Sequence, residues 1–270
     1  MTIELIASPW HLGVEDHGIG AGPRALLDAL DAEARFVDVP SEVTEVGRMF
    51  EIQRAVAAYA RRSLHSSRAP LVLSGECNPA VGTVAALGAA GQVGVVWFDA
   101  HADMNTPDTT ESGFIDGMAL AMLTGRCWRG MCRRLSGWRP VPDDNVLLAG
   151  HRALDQAERL ALDGSGIVEL ESGRIAELAE PAGALAARVD VLYVHVDLDV
   201  LDADEARAND WAVTGGPTTD ELCGAIALLG STGKVGGAAL TALDPTSDPT
   251  QRTVQAATRV LSALREALSR

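Results

Sequence analysis

Apolar positions along this chain cluster in short runs, and the runs alternate with longer segments. Apolar-rich segments that read as strand candidates lie at 3–8, 35–39, 71–74, 93–98, 145–149, 166–170, 191–197 and 237–243. Their length and Val/Leu-rich make-up predict strands buried on both faces. Helices are predicted between them at 23–31, 46–64, 79–90, 117–125, 153–162, 174–188, 217–230 and 250–268. Strand–helix alternation of this kind predicts a parallel sheet with helices on both faces. No linker, composition shift or repeat divides the chain, so 1–270 reads as a single domain. Loops are short except 99–116 and 198–216, and long loops in a compact domain are usually functional.

Two of the strands end in metal-ligand chemistry. The run Val93–Phe98 leads directly into Asp99, His101 and Asp103. In an extended chain, residues two and four apart share a face, so two carboxylates and an imidazole converge at the carboxyl edge of the sheet. The run from Val191 repeats the device with Asp197 and Asp199. Five such side chains are too many for one small cation. They suit a pair of hard or borderline divalent ions, two Mn²⁺ per chain being the first choice. A third strand, Leu71–Ser74, ends near Cys77. Taken alone, that cysteine is more often a buried apolar residue than a ligand. Gly18-Ile19-Gly20-Ala21-Gly22-Pro23 lacks the spacing of a phosphate loop and reads as a structural turn before a helix.

Bulk properties narrow the partners. The net charge of −15 argues against nucleic acid and anionic membranes. No apolar run approaches ~20 residues, so no span is predicted, and the N-terminus has no basic leader. The four cysteines show no C-x-x-C pairing and read as free thiols of a cytoplasmic protein.

Asp99-Ala-His101-Ala-Asp103 and Asp197-Leu-Asp199-Val-Leu-Asp202 resemble the signature motifs of the ureohydrolases, the family of arginases, agmatinases and formiminoglutamases. The resemblance runs from Gly20-Ala21-Gly22-Pro23 to the C-terminal helix. It implies a three-layer α/β/α sandwich with a mainly parallel sheet of about eight strands. It also implies two Mn²⁺ ions bridged by hydroxide, and hydrolysis of a guanidino compound. On the matching positions, Asp99 and Asp197 look like bridging ligands. Asp103 looks like a ligand of the first ion, and His101 and Asp199 of the second. Ser74-Gly75-Glu76-Cys77 stands where the family has Gly-Gly-Asp-His, which puts Cys77 in the place of the sixth ligand. Asn105, Thr110 and Ser112 match the arginase loop that holds the α-carboxylate of arginine. Asp155, with Glu158 nearby, matches the segment that holds its α-ammonium. The resemblance thus implies a guanidino amino acid as the small-molecule substrate.

Departures from the pattern bear on the reaction. Cys77 is softer than Mn²⁺ prefers. Asp116 replaces a proton-shuttling histidine, and an unperturbed carboxyl cannot donate a proton at neutrality. Ala242 replaces a glutamate that grips the guanidinium, and Trp211 replaces a small pocket threonine. The combination resembles the hydroxyarginases of D-cycloserine (antibiotic) biosynthesis, which cleave Nω-hydroxy-L-arginine to hydroxyurea and L-ornithine. In that reading Asp103 moves the proton and Asp116 orients the N-hydroxyl or a water. The alternatives are an arginase proper, a hydrolase of another modified guanidine, and an inactive metal-free binding protein. The last helix carries Val254, Ala257, Val260, Leu261, Leu264 and Leu268 at helical spacing, a face packed on its own sheet. A monomer is therefore expected rather than a trimer.

Overall fold

The computed structural model describes residues 2–39 and 44–270. Its strands are β1 (Thr2–Ser8), β2 (Trp10–His11), β3 (Val14–Glu15), β4 (Arg35–Phe36), β5 (Arg68–Ser74), β6 (Val93–Phe98), β7 (Val146–Ala149), β8 (Val168–Leu170), β9 (Val191–Asp197) and β10 (Val235–Thr241). The α-helices are α1 (Gly22–Leu30), α2 (Glu45–His65), α3 (Ala80–Leu87), α4 (Ala119–Leu123), α5 (Arg129–Cys132), α6 (Gln156–Asp163), α7 (Ala179–Arg188), α8 (Thr219–Ser231) and α9 (Arg252–Ser269). Eight strands form one sheet in the order β4-β1-β5-β10-β9-β6-β7-β8, and every pairing in it is parallel. The three-layer, mainly parallel expectation stands.

Both faces of the sheet are covered. Val96, Phe98, Val194 and Val196 pack under α1, α7, α8 and α9. Val95, Trp97 and Tyr193 point the other way, under α2, α3 and α4. Adjacent residues of one strand serve opposite cores, which is why these strands read as unbroken apolar runs. The C-terminal helix buries Val260, Leu261 and Leu264, as its spacing predicts. Among the described residues, no helix is long and apolar enough to cross a membrane.

Several boundaries shift for local reasons. The helix expected from 153 starts at Gln156, because Asp155 caps it and Glu158 closes a reciprocal capping box. The helix expected from 174 begins as a 3₁₀ segment, Ser172–Glu177, before α7. The β2–β3 hairpin was not predicted. Its turn sits at Leu12 and Gly13, both at positive φ, and two-residue strands carry no readable alternation. The Gly18–Ala21 segment is a 3₁₀ turn running into α1. It presses against the end of β5 so closely that a Cβ on Gly75 would lie 2.4 Å from Trp10 O and 2.7 Å from Gly20 Cα. That close approach requires glycine at position 75.

Candidate metal centre and substrate cavity

The four central strands, β5, β10, β9 and β6, end side by side at one edge of the sheet. Cys77 follows β5, Asp99 follows β6, Asp197 closes β9, and Ala242 follows β10. This is the carboxyl edge, where open α/β sheets place their sites. Candidate ligand atoms of Cys77, Asp99 and Asp197 lie within 4.8 Å of one another. The same holds for Asp99, His101 and Asp199. Asp99 belongs to both groups, whereas Asp197 falls in one.

Backbone and side-chain contacts fix these groups before any cation arrives. Asp99 Oδ2 accepts from Trp97 Nε1 at 3.0 Å, and Oδ1 from His101 N at 2.8 Å. Asp197 Oδ1 accepts from Asp199 N at 2.9 Å, and Oδ2 lies 3.0 Å from Cys77 Sγ. His101 Nδ1 stands 3.3 Å from Asp99 and 3.4 Å from Asp199. Asn209 Nδ2 reaches Asp199 at 3.4 Å and donates to Ala242 O at 3.0 Å.

Asp103 is placed differently from its neighbours. The chain leaves the extended conformation after Phe98, and Asp103 has φ +51°. The one-face argument from strand spacing therefore does not carry to Asp103, and it lies outside both ligand groups. It is nonetheless buried beside them, and its Oδ2 has no hydrogen-bond partner.

The electrostatics show what the cluster lacks. Burial pushes the Asp197 and Asp103 carboxyls well up, and neighbouring carboxylates add to it. Burial raises Asp99, against the pull of His101. Burial also raises the Cys77 thiol, with Asp197 next. Burial opposes charge on His101, but Asp199 and Asp99 win and push the imidazole up to about 12. Burial likewise works against charged Asp199, and His101 overcomes it and holds that carboxyl low. One imidazolium faces four carboxylates and a thiol. The missing positive charge and the unpartnered Asp103 oxygen suit two divalent cations. The donor set is oxygen-rich with one nitrogen and one sulfur, and the sulfur favours borderline ions over the hardest ones.

A pH prediction follows from these directions. Acids whose pKa is raised by folding keep a proton that the unfolded chain releases, so their contribution weakens as pH climbs past the ordinary carboxylate range. His101 contributes fully below its ordinary value of 6.5 and progressively less above it. Metal-free protein is expected to melt at a lower temperature at pH ~8 than at pH ~5. Saturating Mn²⁺ is expected to remove or reverse the trend, because cations bind the deprotonated ligands. Melting curves with chelator and with metal check both halves.

A cavity of about 240 Å³ opens over the cluster. Cys77, His101, Asp103, Asp197 and Asp199 line its floor, and Asn105, Asp155 and Glu158 also line it. Asn105 Nδ2 donates to Asp155 Oδ2 at 2.7 Å. Asp155 Oδ1 accepts from Glu158 N at 2.8 Å, so the same acid caps α6. Glu158 Oε1 accepts from Met104 N at 3.2 Å, tying the helix start to the ligand loop. Thr110 and Ser112 are not brought to the cavity. Their hydroxyls accept from Gly113 N and Phe114 N in an exposed loop.

Asp116 lies in the wall, and its Oδ1 accepts from Cys77 N at 2.7 Å and from Asn78 N and Nδ2 at 3.1 Å. Burial, then the charge of Glu76, raises its pKa well above the ordinary range despite those bonds. Its carboxyl thus braces the loop that carries Cys77. Ala242 and Trp211 complete the wall. Trp211 stacks on Phe114 at 5.1 Å and 17°, and its backbone N–H donates to Asn209 Oδ1 at 2.9 Å.

Sequence reasoning did not single out Asn209, Arg152, His195 or Thr241. Arg152 donates to six backbone oxygens, those of Gly150, Asp199, Val200, Leu201, Val213 and Thr214, at 2.8 to 3.1 Å. It thereby staples both ends of the 198–216 loop to the segment after β7. Only the unusual length of that loop hinted at a role.

A model of the arginase family matches residues 2–265. The chain belongs to the arginase family. It is 27% identical to an arginase of Bacillus subtilis over 288 residues, with 97% of each chain covered. It is 28% identical to an arginase of Bacillus caldovelox over 291 residues, again with 97% of each covered. The solved structure of the B. caldovelox arginase superposes with a TM-score of 0.87 at 26% identity, covering 97% of both chains. The arginase-like fold and ureohydrolase membership expected from the motifs are thus borne out. In this arginase-family protein the two ligand groups gather at the ends of β5, β6 and β9, and Asp103 of the first motif lies outside both.

Proposed function

We propose that this arginase-family protein hydrolyses the guanidino group of Nω-hydroxy-L-arginine, giving hydroxyurea and L-ornithine, with two Mn²⁺ ions at its centre. The observation that carries the reading is the cavity wall: Ala242 and Trp211 line it beside the candidate ligand side chains. At these two positions the wall gives no carboxylate grip to a strongly basic guanidinium. An N-hydroxyguanidine is less basic and depends less on one. The antibiotic-biosynthesis setting belongs to the same proposal, as does one ureohydrolase domain acting as a monomer in the cytoplasm.

Cys77, Asp99, His101, Asp103, Asp197 and Asp199 would hold the ions. When bound, they supply a water acidified to hydroxide near neutrality and a Lewis-acid grip on the guanidine carbon's substituents. Asp103 accepts the proton of the attacking water and delivers it to the departing ornithine nitrogen. Carbon gains an oxygen and loses that nitrogen. Asn105 and Asp155 orient the amino-acid end of the substrate, with Glu158 holding them in place. Thr110 and Ser112 join them where the 105–113 loop folds inward over a bound carboxylate. Asp116 braces Cys77 and offers its carboxyl to the N-hydroxyl.

Ornithine release from L-arginine and Nω-hydroxy-L-arginine, measured side by side with added Mn²⁺, tests the proposal. Turnover confined to the hydroxylated substrate is expected. Comparable turnover of L-arginine would favour the second reading, an arginase, which the names of the relatives support. No turnover of either would leave another guanidine or a binding role. The aromatic wall has its own test. Trp211 is 42% exposed and packs against Phe114, so replacing it should not unfold the protein. Trp211→Thr is expected to raise KM about tenfold, the worth of roughly one aromatic contact, with a smaller change in kcat.

A further inference from the structure

Beneath the ligand cluster lies a set of polar side chains that the proposed chemistry does not use. Tyr193, His195 and Thr241 are buried, with Tyr193 and His195 at 0% exposure. Tyr193 Oη lies 3.2 Å from His195 Nδ1. His195 Nε2 lies 3.4 Å from Thr241 Oγ1, which lies 3.2 Å from Cys77 Sγ. Strand register brings these groups together. Trp97 and His195 are direct partners across β6 and β9, and their rings stack at 3.5 Å and 8°. Thr241 is paired with Asp197 across β10 and β9. Trp97 also donates to Asp99.

We propose that Tyr193, His195 and Thr241 form a one-way chain of hydrogen-bond donors that orients the Cys77 sulfur toward a bound cation. This rests on the reading of Cys77 as a metal ligand. The direction follows from counting protons. A sulfur that binds a cation has lost its proton and only accepts. Thr241 has one hydroxyl proton, which must then point at the sulfur. Its oxygen is left to accept, and the facing His195 Nε2–H donates to it. A neutral imidazole with Nε2–H has a bare Nδ1, and the Tyr193 hydroxyl donates to that. Every donor in the row is used once, and each bond polarises the next.

Without a cation, Cys77 S–H instead donates to Asp197 Oδ2 at 3.0 Å, and the Thr241 hydroxyl has Val196 O within 3.3 Å. With a cation on the sulfur, the Thr241 hydroxyl, which reaches both Val196 O and Cys77 Sγ, would point at the sulfur. His195 is held in plane by Trp97, so one stacked pair sets both the Cys77 arm and the Asp99 arm of the centre. These are positioning residues. Side chains that orient metal ligands are worth about 10- to 100-fold in metal affinity.

The test titrates Co²⁺ into metal-free protein and follows the near-ultraviolet sulfur-to-cobalt charge-transfer band, with no substrate present. Wild type should show the band, and C77S should lose it. T241V, which keeps the shape and removes the hydroxyl, should bind Co²⁺ about 10- to 100-fold more weakly, with the band moved to longer wavelength. T241S should restore both. H195F, which keeps a ring on Trp97, should resemble T241V. Circular dichroism melts of each variant separate this from misfolding. Wild-type affinity and an unmoved band in both T241V and H195F overturn the proposal. A wild-type protein that binds Co²⁺ without a sulfur band overturns it as well, by removing Cys77 from the ligands. If the band behaves as stated and no guanidine is hydrolysed, the substrate reading alone fails.

Discussion

Replacing Asp99 with asparagine is expected to lower hydrolysis about a thousandfold or more, and to do so through both halves of the centre. Asp99 is the residue common to both ligand groups. Its two oxygens are already aimed by Trp97 Nε1 and His101 N, so the fold spends structure on its orientation. An amide keeps the shape and one oxygen but loses the charge that faces two cations. Loss of several kcal/mol of transition-state charge stabilisation corresponds to a rate loss on the order of a thousandfold. Metal analysis should show fewer than two ions per chain in D99N. A D199N variant, which touches one group, should retain more metal than D99N. Equal metal content and near-normal turnover in D99N would contradict the assignment of Asp99 as the shared ligand.

The second large effect is expected at Arg152, which touches no ligand side chain. Arg152→Ala should cost roughly 3–5 kcal/mol of stability, since it strips a charged donor from six backbone oxygens in a half-buried place. For a chain of this size, that is a fall in melting temperature of about 10 °C. The 198–216 loop it staples carries Asp199, Asn209 and Trp211, so metal affinity should fall with stability. Arg152→Lys should recover little, because an ammonium has three donors on a flexible stem in place of a planar fork with five. A thermal melt paired with Mn²⁺ titration reads both. An R152A protein with unchanged melting and metal affinity would show that the loop is held by other contacts.

The ligand strands were legible in the sequence because two independent signals coincide there. An unbroken apolar run marks a strand buried on both faces, and acids two apart mark its end. Asp99, Asp197 and Asp199 follow from that logic and meet in the fold. Asp103 does not, because periodicity reports which side of a strand is buried and says nothing of where the backbone turns. The positive φ at Asp103 has no local signature in Ala102-Asp103-Met104. Thr110 and Ser112 were matched by position in a motif, and the loop turns their hydroxyls onto its own backbone. Asp155 was read as a ligand for an ammonium. The capping box that also occupies it is visible as Asp155-Gln-Ala-Glu158, the spacing of a helix start. Arg152, His195 and Thr241 were out of reach for another reason. Their partners lie as far as 164 residues away on other elements, and contacts across such separations leave no pattern in a single sequence.

Ala242 carries a consequence for how this pocket could change over generations. It sits at φ +63°, a conformation that costs a non-glycine residue about 1–2 kcal/mol, and it is pinned there by Gly75 O and Asn209 Nδ2. Having accepted a Cβ in that geometry, the backbone makes little further distinction between a methyl and a longer side chain reaching into the cavity. An acid at this position needs no new backbone conformation, and alanine and glutamate codons differ by one base. Gain or loss of a guanidinium grip at this wall position is thus open to single-step evolution.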